Sequence, residues 1–405
     1  MLKLPKIKSK YILILILLLA AFLRFYRLDY PNKYVFDEVY HAFTAKEYLK
    51  GSASAWEWWT ASPPGVAYEW THPPLAKEIM AASMFIFRTE DAWAYRFPGV
   101  VLGILSVYMV YLLGLKLLKN QTASLMAAFV FSLDGLNFVQ SRTGMNDIYY
   151  VTFILAGLFL LLNKKFILAA ILLGLALSSK WAAIYAFALI LFILVKNRQK
   201  KKLYLFIFLP IVIYLLAYSP FFLIGHTFNQ FKELQQQMWW YHTNLKATHA
   251  YSSPWWSWPL NLYPVWYFVD YQKNTMSNIF ASGNPVLFWT GSIAILLTIW
   301  EIIKKRSISL AVIILGFLAF WLPWAGSPRI MFLYHFSPSV PFLSLALGYQ
   351  LNKLMRDKKG KQLLIALLIL ILISFILVFP FLTGIHLPRN FINSFFATNL
   401  SKNPF

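Results

Sequence analysis

The chain has 405 residues, 59% of them hydrophobic and 19% aromatic, with only 13% charged and a mean hydropathy of +0.58, which excludes an ordinary soluble domain. The formal net charge is +22, but the basic residues come as short clusters between long apolar runs and not as one folded basic face, so nucleic-acid binding is excluded as well. With no cysteine, the chain has neither disulfides nor thiolate metal sites.

Lys3, Lys6, Lys8 and Lys10 precede the apolar run Tyr11 to Leu23, a pattern shared by signal peptides and first membrane spans. Ala20-Ala21 is a poor cleavage site, so a retained signal anchor is expected. A helix needs about 20 apolar residues to cross the hydrocarbon core. Runs of that kind predict eleven spans, near 8–26, 97–115, 121–139, 147–162, 165–179, 182–196, 203–223, 285–303, 307–323, 330–350 and 362–382. Alternating them from a cytoplasmic N-terminus places 21 of the 37 basic residues in short inner segments, against only Glu301 and Asp357 among the 15 acids. The reverse orientation breaks the positive-inside rule at every loop. An odd number of spans leaves the C-terminus outside, and all seven histidines, at 41, 72, 226, 242, 249, 335 and 386, fall on the outer side.

Two outer loops are long, 24–96 and 224–284, and rich in Trp, Tyr, Pro and His. Loops of this length usually cover a site. With no internal repeat, low-complexity tract or linker, the whole chain, 1–405, reads as one integral domain.

Five segments carry candidate chemistry. In Phe36-Asp37-Glu38-Val39-Tyr40-His41, paired carboxylates at the edge of hydrocarbon suit a base, Asp37, with Glu38 orienting a nucleophile or ligand; the alternative is a solvated acidic pair that starts a helix. In Glu69-Trp70-Thr71-His72-Pro73-Pro74, the prolines force His72 out of helical geometry and present it; on local sequence alone an incidental His in a proline turn is the better reading, and the segment gains weight only in combination with the others. Between Asp134 and Asp147, Arg142 offers a fixed fork for a phosphate and Asp147 opens the next span. The bland reading is a polar hairpin whose Arg reaches lipid head groups. His249-Ala250-Tyr251-Ser252-Ser253-Pro254-Trp255 supplies flat aromatic faces suited to sugars or to the membrane interface. Finally, Arg329 and His335 flank a short outer loop that runs into an apolar stretch, where an ionisable group is a functional candidate. No P-loop, GxGxxG fingerprint or HExxH is present. A nucleotide donor is therefore unsupported, and a site facing outward has no cytosolic nucleotide pool, which points to a lipid-linked donor.

The ordered set of these motifs resembles the protein O-mannosyltransferase family of the GT-C membrane glycosyltransferases. It comprises Phe36-Asp37-Glu38 with His41, Thr71-His72-Pro73-Pro74-Leu75-Ala76-Lys77, Tyr95-Arg96-Phe97-Pro98-Gly99, Leu133-Asp134 through Gln140-Ser141-Arg142 to Asp147, and Gly174-Leu175-Ala176 with Lys180-Trp181. Later come Glu233-Leu234, Met238, His249 to Pro254, Trp258-Pro259, Gly283-Asn284-Pro285, and Arg329 with Tyr334-His335. The resemblance covers about residues 30 to 345 and implies an all-α GT-C fold of about eleven spans. It implies Asp37 as base with Glu38 beside it. Arg142, Asp147, His72, Arg329 and His335 then serve the donor phosphate and sugar, and His249, Ser252 and Trp255 serve the acceptor. Only a few residues separate Gly225 from Glu233, where eukaryotic members carry a β-trefoil MIR domain, so the chain resembles the shorter bacterial form. The implied reaction is inverting transfer of mannose from polyprenyl-phosphate-mannose to Ser or Thr of translocated proteins, on the outer face of the plasma membrane. No cofactor is expected and a metal is optional, with His72, His335 and the acids as its only ligand set. The expected partners are the lipid donor, an acceptor polypeptide, membrane lipids and the translocation machinery. Two alternatives stay open: a GT-C transferase acting on a lipid or cell-wall glycan, and, more remotely, a transporter.

Overall fold

Unbroken apolar runs become helices because, in hydrocarbon, each backbone N–H and C=O must find its partner within the segment. The computed structural model of the protein describes residues 9–395. Lys3, Lys6 and Lys8 and the end of the chain, on which part of the inside–outside assignment rests, lie outside the described residues. Helix α1 (Ser9–Phe25) leads into the first long loop, which contains α2 (His41–Leu49) and α3 (Leu75–Phe87). Then come α4 (Ala92–Leu118), α5 (Gln121–Ser132), α6 (Gly135–Arg142), α7 (Asp147–Leu162), α8 (Phe166–Ser179), α9 (Ala186–Lys196), α10 (Leu203–Ala217) and α11 (Ser219–Leu223). The second long loop holds α12 (Phe228–Asn244). It is followed by α13 (Pro285–Lys305), α14 (Ile308–Trp321), α15 (Val340–Lys353), α16 (Lys358–Thr383) and α17 (Arg389–Phe395).

Each of the eleven expected spans falls on helix. Among the described residues, four helical stretches are able, by length and composition, to cross a bilayer: Ala92–Leu118, Pro285–Lys305, Ile308–Gly326 and Lys358–Thr383. Helices α5 and α6 pass that test only as a pair, bent by 60°. The cause of the bend is Asp134, whose carboxylate accepts from the backbone N–H groups of Leu136 (3.1 Å) and Asn137 (2.7 Å) and so restarts the helix inside an apolar run. Helices α7 and α8 and the stretch Trp181–Lys196 are apolar but shorter. The chain is thus a multi-pass membrane protein, and the figure of eleven rests on the sequence.

The expectation of an all-α chain needs one amendment. Strands β1 (Val265–Tyr271) and β2 (Thr275–Ala281) form an antiparallel hairpin, and β3 (Leu387–Pro388) adds to β2, giving the order β1-β2-β3. Val265 pairs with Ala281 and Tyr271 with Met276, with an irregularity between Trp266 and Phe268. The run Val-Trp-Tyr-Phe-Val suits a pleated, half-buried surface better than a helix; at sequence level it passes for interfacial aromatics.

The apolar core lies among α4, α5, α7 and α13 to α15. Helices α5 and α15 approach closely because residue 348 is Gly: a Cβ there would lie 2.6 Å from the Ala123 carbonyl oxygen, the small-residue contact usual between membrane helices. Phe231, Leu234 and Met238 of α12 pack on Trp56, Tyr218 and Phe221. The two long loops, 24–96 and 224–284, thereby meet at one end of the bundle.

Candidate active site

The site begins at a single turn of 3-10 helix, Phe36–Val39. Phe36 holds φ at +50°, an unusual value for a bulky residue, and its ring stacks on Tyr267 with centroids 4.2 Å apart. Glu38 anchors the turn from within. It is fully buried and takes Arg96 Nε and Nη2 at 2.7 Å each, with the N–H groups of Val35 and Gly144 at 2.8 Å. With Glu38 fixed inward, Asp37 is turned into a cavity of about 340 Å³. Among the described residues, no side chain donates a hydrogen bond to its carboxylate.

The cavity is lined by Asp37, His41, His72, Asp147, Lys180 and His242, and on its far side by Arg329, Tyr334 and His335. Lys180 donates to both oxygens of Asp147, at 2.9 and 3.0 Å. Arg329 donates from Nη1 to His242 Nδ1, and its buried Nε has no partner among the described residues. His335 Nδ1 accepts from the Phe332 backbone N–H (3.1 Å), which leaves Nε2 to carry the ring hydrogen, and the ring stacks on Tyr334 at 4.6 Å. Behind His41 and His72 lies Glu69, 3.1 Å from His72 Nδ1 and 3.8 Å from His41 Nδ1.

These surroundings set the charges. Burial pushes the Asp37 carboxyl up to about 7; the Glu69 charge adds to the rise, while Lys180 and Arg329 pull the other way. A base titrating there is poised for neutral pH. Burial also lowers His41 and His72 to about 3 and His242 to about 4, so these imidazoles are neutral in working conditions. Burial opposes the Glu69 charge, but the hydrogen bond from His72 Nδ1 and the buried Lys77 ammonium outweigh it and hold Glu69 well below the usual carboxylate range.

Of the residues singled out in the sequence, the structure brings together Asp37, His72, Asp147, Arg329 and His335 in this cavity. Two others it employs differently. Glu38 has its oxygens taken by Arg96, Tyr95 and two backbone amides, so it holds the turn and does not face a nucleophile. Arg142 is not a cavity residue: its guanidinium donates to the backbone carbonyls of Arg24 (3.0 Å), Tyr26, Arg27 (3.2 Å) and Leu382 (3.4 Å). Four of its five N–H donors are taken in this way, three by carbonyls where the chain leaves α1 and one by the end of α16, so its fork is not presented to the cavity. His249 and Ser252 line a second pocket, of about 600 Å³, whose opposite wall includes Ile330 and Met331. Trp255 packs against Trp321, whose Nε1 donates to its carbonyl (2.8 Å). Lys180, Glu69, His41 and His242 were not singled out as site residues. Lys180 had a signal: it is a basic residue on the side of the membrane that the positive-inside pattern leaves poor in lysine. Among the described residues, no group of three or more His, Asp or Glu side chains is arranged to hold a metal ion.

Residues 14–245, more than half of the chain, match the family model described as dolichyl-phosphate-mannose-protein mannosyltransferase. The chain belongs to this mannosyltransferase family. Residues 227–398 match the model of the C-terminal four TMM region of protein-O-mannosyltransferase. The polyprenol-phosphate-mannose–protein mannosyltransferase of Mycolicibacterium smegmatis is 23% identical, over 92% of this chain and 89% of its own. Among solved structures, the S. cerevisiae protein O-mannosyltransferase Pmt1-Pmt2 complex bound to the sugar donor superposes with a TM-score of 0.79 at 15% identity, covering 94% of this chain and 91% of that one. ArnT from Cupriavidus metallidurans bound to undecaprenyl phosphate gives 0.62 at 14%, covering 89% and 63%. At such identities these likenesses show the fold, that of a GT-C membrane glycosyltransferase.

Proposed function

We propose that the protein transfers mannose, with inversion, from a polyprenyl-phosphate-mannose to Ser or Thr hydroxyls of proteins crossing the plasma membrane. The observation that carries this is the unpartnered Asp37 carboxylate sharing one cavity with two cations, Lys180 and Arg329. The cavity also opens toward lipid. Trp181 and Ile184 belong both to it and to an almost wholly apolar groove of about 530 Å³ between α8, α9, α10 and α12. The isoprenoid tail lies along that groove, the phosphate sits at Lys180, next in sequence to Trp181, and the sugar reaches Asp37.

In the reaction Asp37 takes the proton of the acceptor hydroxyl as its oxygen attacks C1 from the face opposite the phosphate. The C1–O bond to phosphate breaks, and the polyprenyl phosphate leaves with its charge balanced by Lys180 and Arg329, so no proton need be delivered to it. One displacement inverts the anomeric centre. His335 offers its remaining nitrogen to the phosphate, and Asp147 holds the Lys180 ammonium in place. The acceptor lies extended in the second pocket, along His249 and Ser252, with Trp255 beneath it as a packing residue.

The catalytic domain is the whole chain roofed by loops 24–96 and 224–284. The basic ends of α4, α9 and α13 lie on the cytoplasmic side and the cavity faces outward, where membrane lipids and the translocation machinery deliver donor and acceptor. The test is purified protein in detergent with labelled polyprenyl-phosphate-mannose and a Thr/Ser-rich peptide. Labelled peptide is expected, and its loss in Asp37→Asn. An unlabelled peptide alongside a labelled glycan would move the assignment to a glycan acceptor.

A further inference from the structure

The two prolines after His72 and the lysine after them do more than shape a turn. Lys77, fully buried, donates from Nζ to the backbone carbonyls of Glu69 (2.7 Å) and His72 (2.8 Å). The two side chains are thereby locked together. Glu69 Oε1 lies 3.1 Å from His72 Nδ1 and also accepts from Thr71 Oγ1 at 2.5 Å. A carboxylate only accepts, so His72 Nδ1 must carry the hydrogen and Nε2 must present a lone pair. Because Nε2 has no hydrogen-bond partner among the described residues and His72 lines the cavity, that lone pair is open to a ligand. His242, whose ring lies 5.2 Å away, differs: Arg329 donates to its Nδ1 and its Nε2 donates to the Thr71 carbonyl (2.7 Å), so both of its nitrogens are occupied.

We propose that His72, its tautomer fixed by Glu69, reads the sugar of the lipid-linked donor by accepting a hydrogen bond at Nε2 from one hydroxyl of the hexose. This rests on the donor proposed above: with the phosphate held by Lys180 and Arg329, the cavity wall left to the sugar is that of Asp37, His41 and His72. Asp37 is committed to the acceptor proton. His72 is thus a specificity residue, demanding a donating O–H at one ring position, and Glu69 is a positioning residue behind it.

Four donors carrying fluorine in place of the hydroxyl at C2, C3, C4 or C6 test the idea, since C–F cannot donate. In the wild type, one position is expected to lose about 10- to 100-fold in kcat/KM beyond the other three, the usual effect of leaving a buried acceptor unpaired. In His72→Ala that excess falls to within about twofold of the rest. The comparison of two donors on two proteins cancels the electronic effect of fluorine on C1. Glu69→Gln, whose amide oxygen still accepts from Nδ1, keeps the excess; Glu69→Leu, which frees the ring, loses it. An identical pattern of penalties in wild type and His72→Ala overturns the proposal, as does a wild type with no outlying position. Should His72→Ala fail to fold, His72→Phe takes its place, its ring filling the space of the imidazole without offering an acceptor. A wild type that transfers no mannose from the natural donor refutes the parent assignment instead, so the two failures are distinct.

Discussion

Replacing Asp37 by Asn should abolish transfer and at the same time stabilise the protein. Among the described residues no side chain hydrogen-bonds to the carboxyl, and burial lifts its pKa from 3.8 to about 7, so its ionised form destabilises the fold. At ~1.4 kcal/mol per pH unit, the rise sets a ceiling of about 4 kcal/mol, and partial exposure to the cavity reduces the expected gain to roughly 2 kcal/mol. The sign follows from proton binding. Between pH 4 and pH 7 the folded chain holds the Asp37 proton more tightly than the unfolded one, so wild-type stability falls as pH rises through that window. Asp37→Asn has no such proton and escapes the fall. Melting in detergent should therefore give nearly equal Tm values for the two proteins at about pH 4 and a variant higher by a few degrees at about pH 8. Transfer by the variant should drop by ~10²- to 10⁴-fold, the usual contribution of a general base, and wild-type kcat/KM should climb through pH about 7 as the base ionises. A variant less stable than wild type at high pH, a Tm gap independent of pH, or an undiminished rate would each refute the role given to Asp37.

Lys180→Gln should raise the donor KM by about 10- to 100-fold, the loss of a charge-assisted contact, while the acceptor KM stays within twofold; steady-state kinetics with each substrate varied in turn decides it. Glu38→Gln leaves Arg96 buried opposite a neutral group and should cost on the order of 3–5 kcal/mol, visible as a lower Tm and yield, while the rate per folded molecule changes only a few-fold. Arg142→Gln strips hydrogen bonds from the segment after α1 and should lower Tm with donor KM unchanged; a raised donor KM would put Arg142 back at the phosphate. Because Lys180 and Arg329 balance the leaving phosphate, the transfer rate is expected to be the same with and without EDTA.

Hydropathy and charge order made the helices legible, since a bilayer leaves few other ways to satisfy the backbone. Asp37 was legible too, as an acid where acids are expensive. Its neighbour was not separable from it, because adjacent carboxylates look alike until the chain turns one toward Arg96 and the other toward the cavity. Arg142 misled for a related reason: a guanidinium serves backbone carbonyls as readily as phosphates, and nothing local to Ser141-Arg142-Thr143 reveals that the end of α1 lies against it. Lys180 was hidden in a two-residue break between apolar runs. It becomes a site residue only because α7 and α8 pack together and set Asp147 opposite it. The β1-β2 hairpin escaped because aromatic residues are at home both in strands and at the membrane interface.

Arg329 lines the cavity of Asp37 and Ile330 the pocket of His249, so the compartments proposed for donor and acceptor share a wall that is, at this point, a single peptide unit. Met331, the next residue, accepts at its carbonyl from the Ser253 amide at 2.9 Å, tying that wall to another residue lining the His249 pocket. A substitution chosen to widen the range of acceptors by reshaping residues 330 and 331 will therefore displace the Arg329 guanidinium as well. In this enzyme, tolerance toward the incoming protein and grip on the outgoing lipid are not separately adjustable traits.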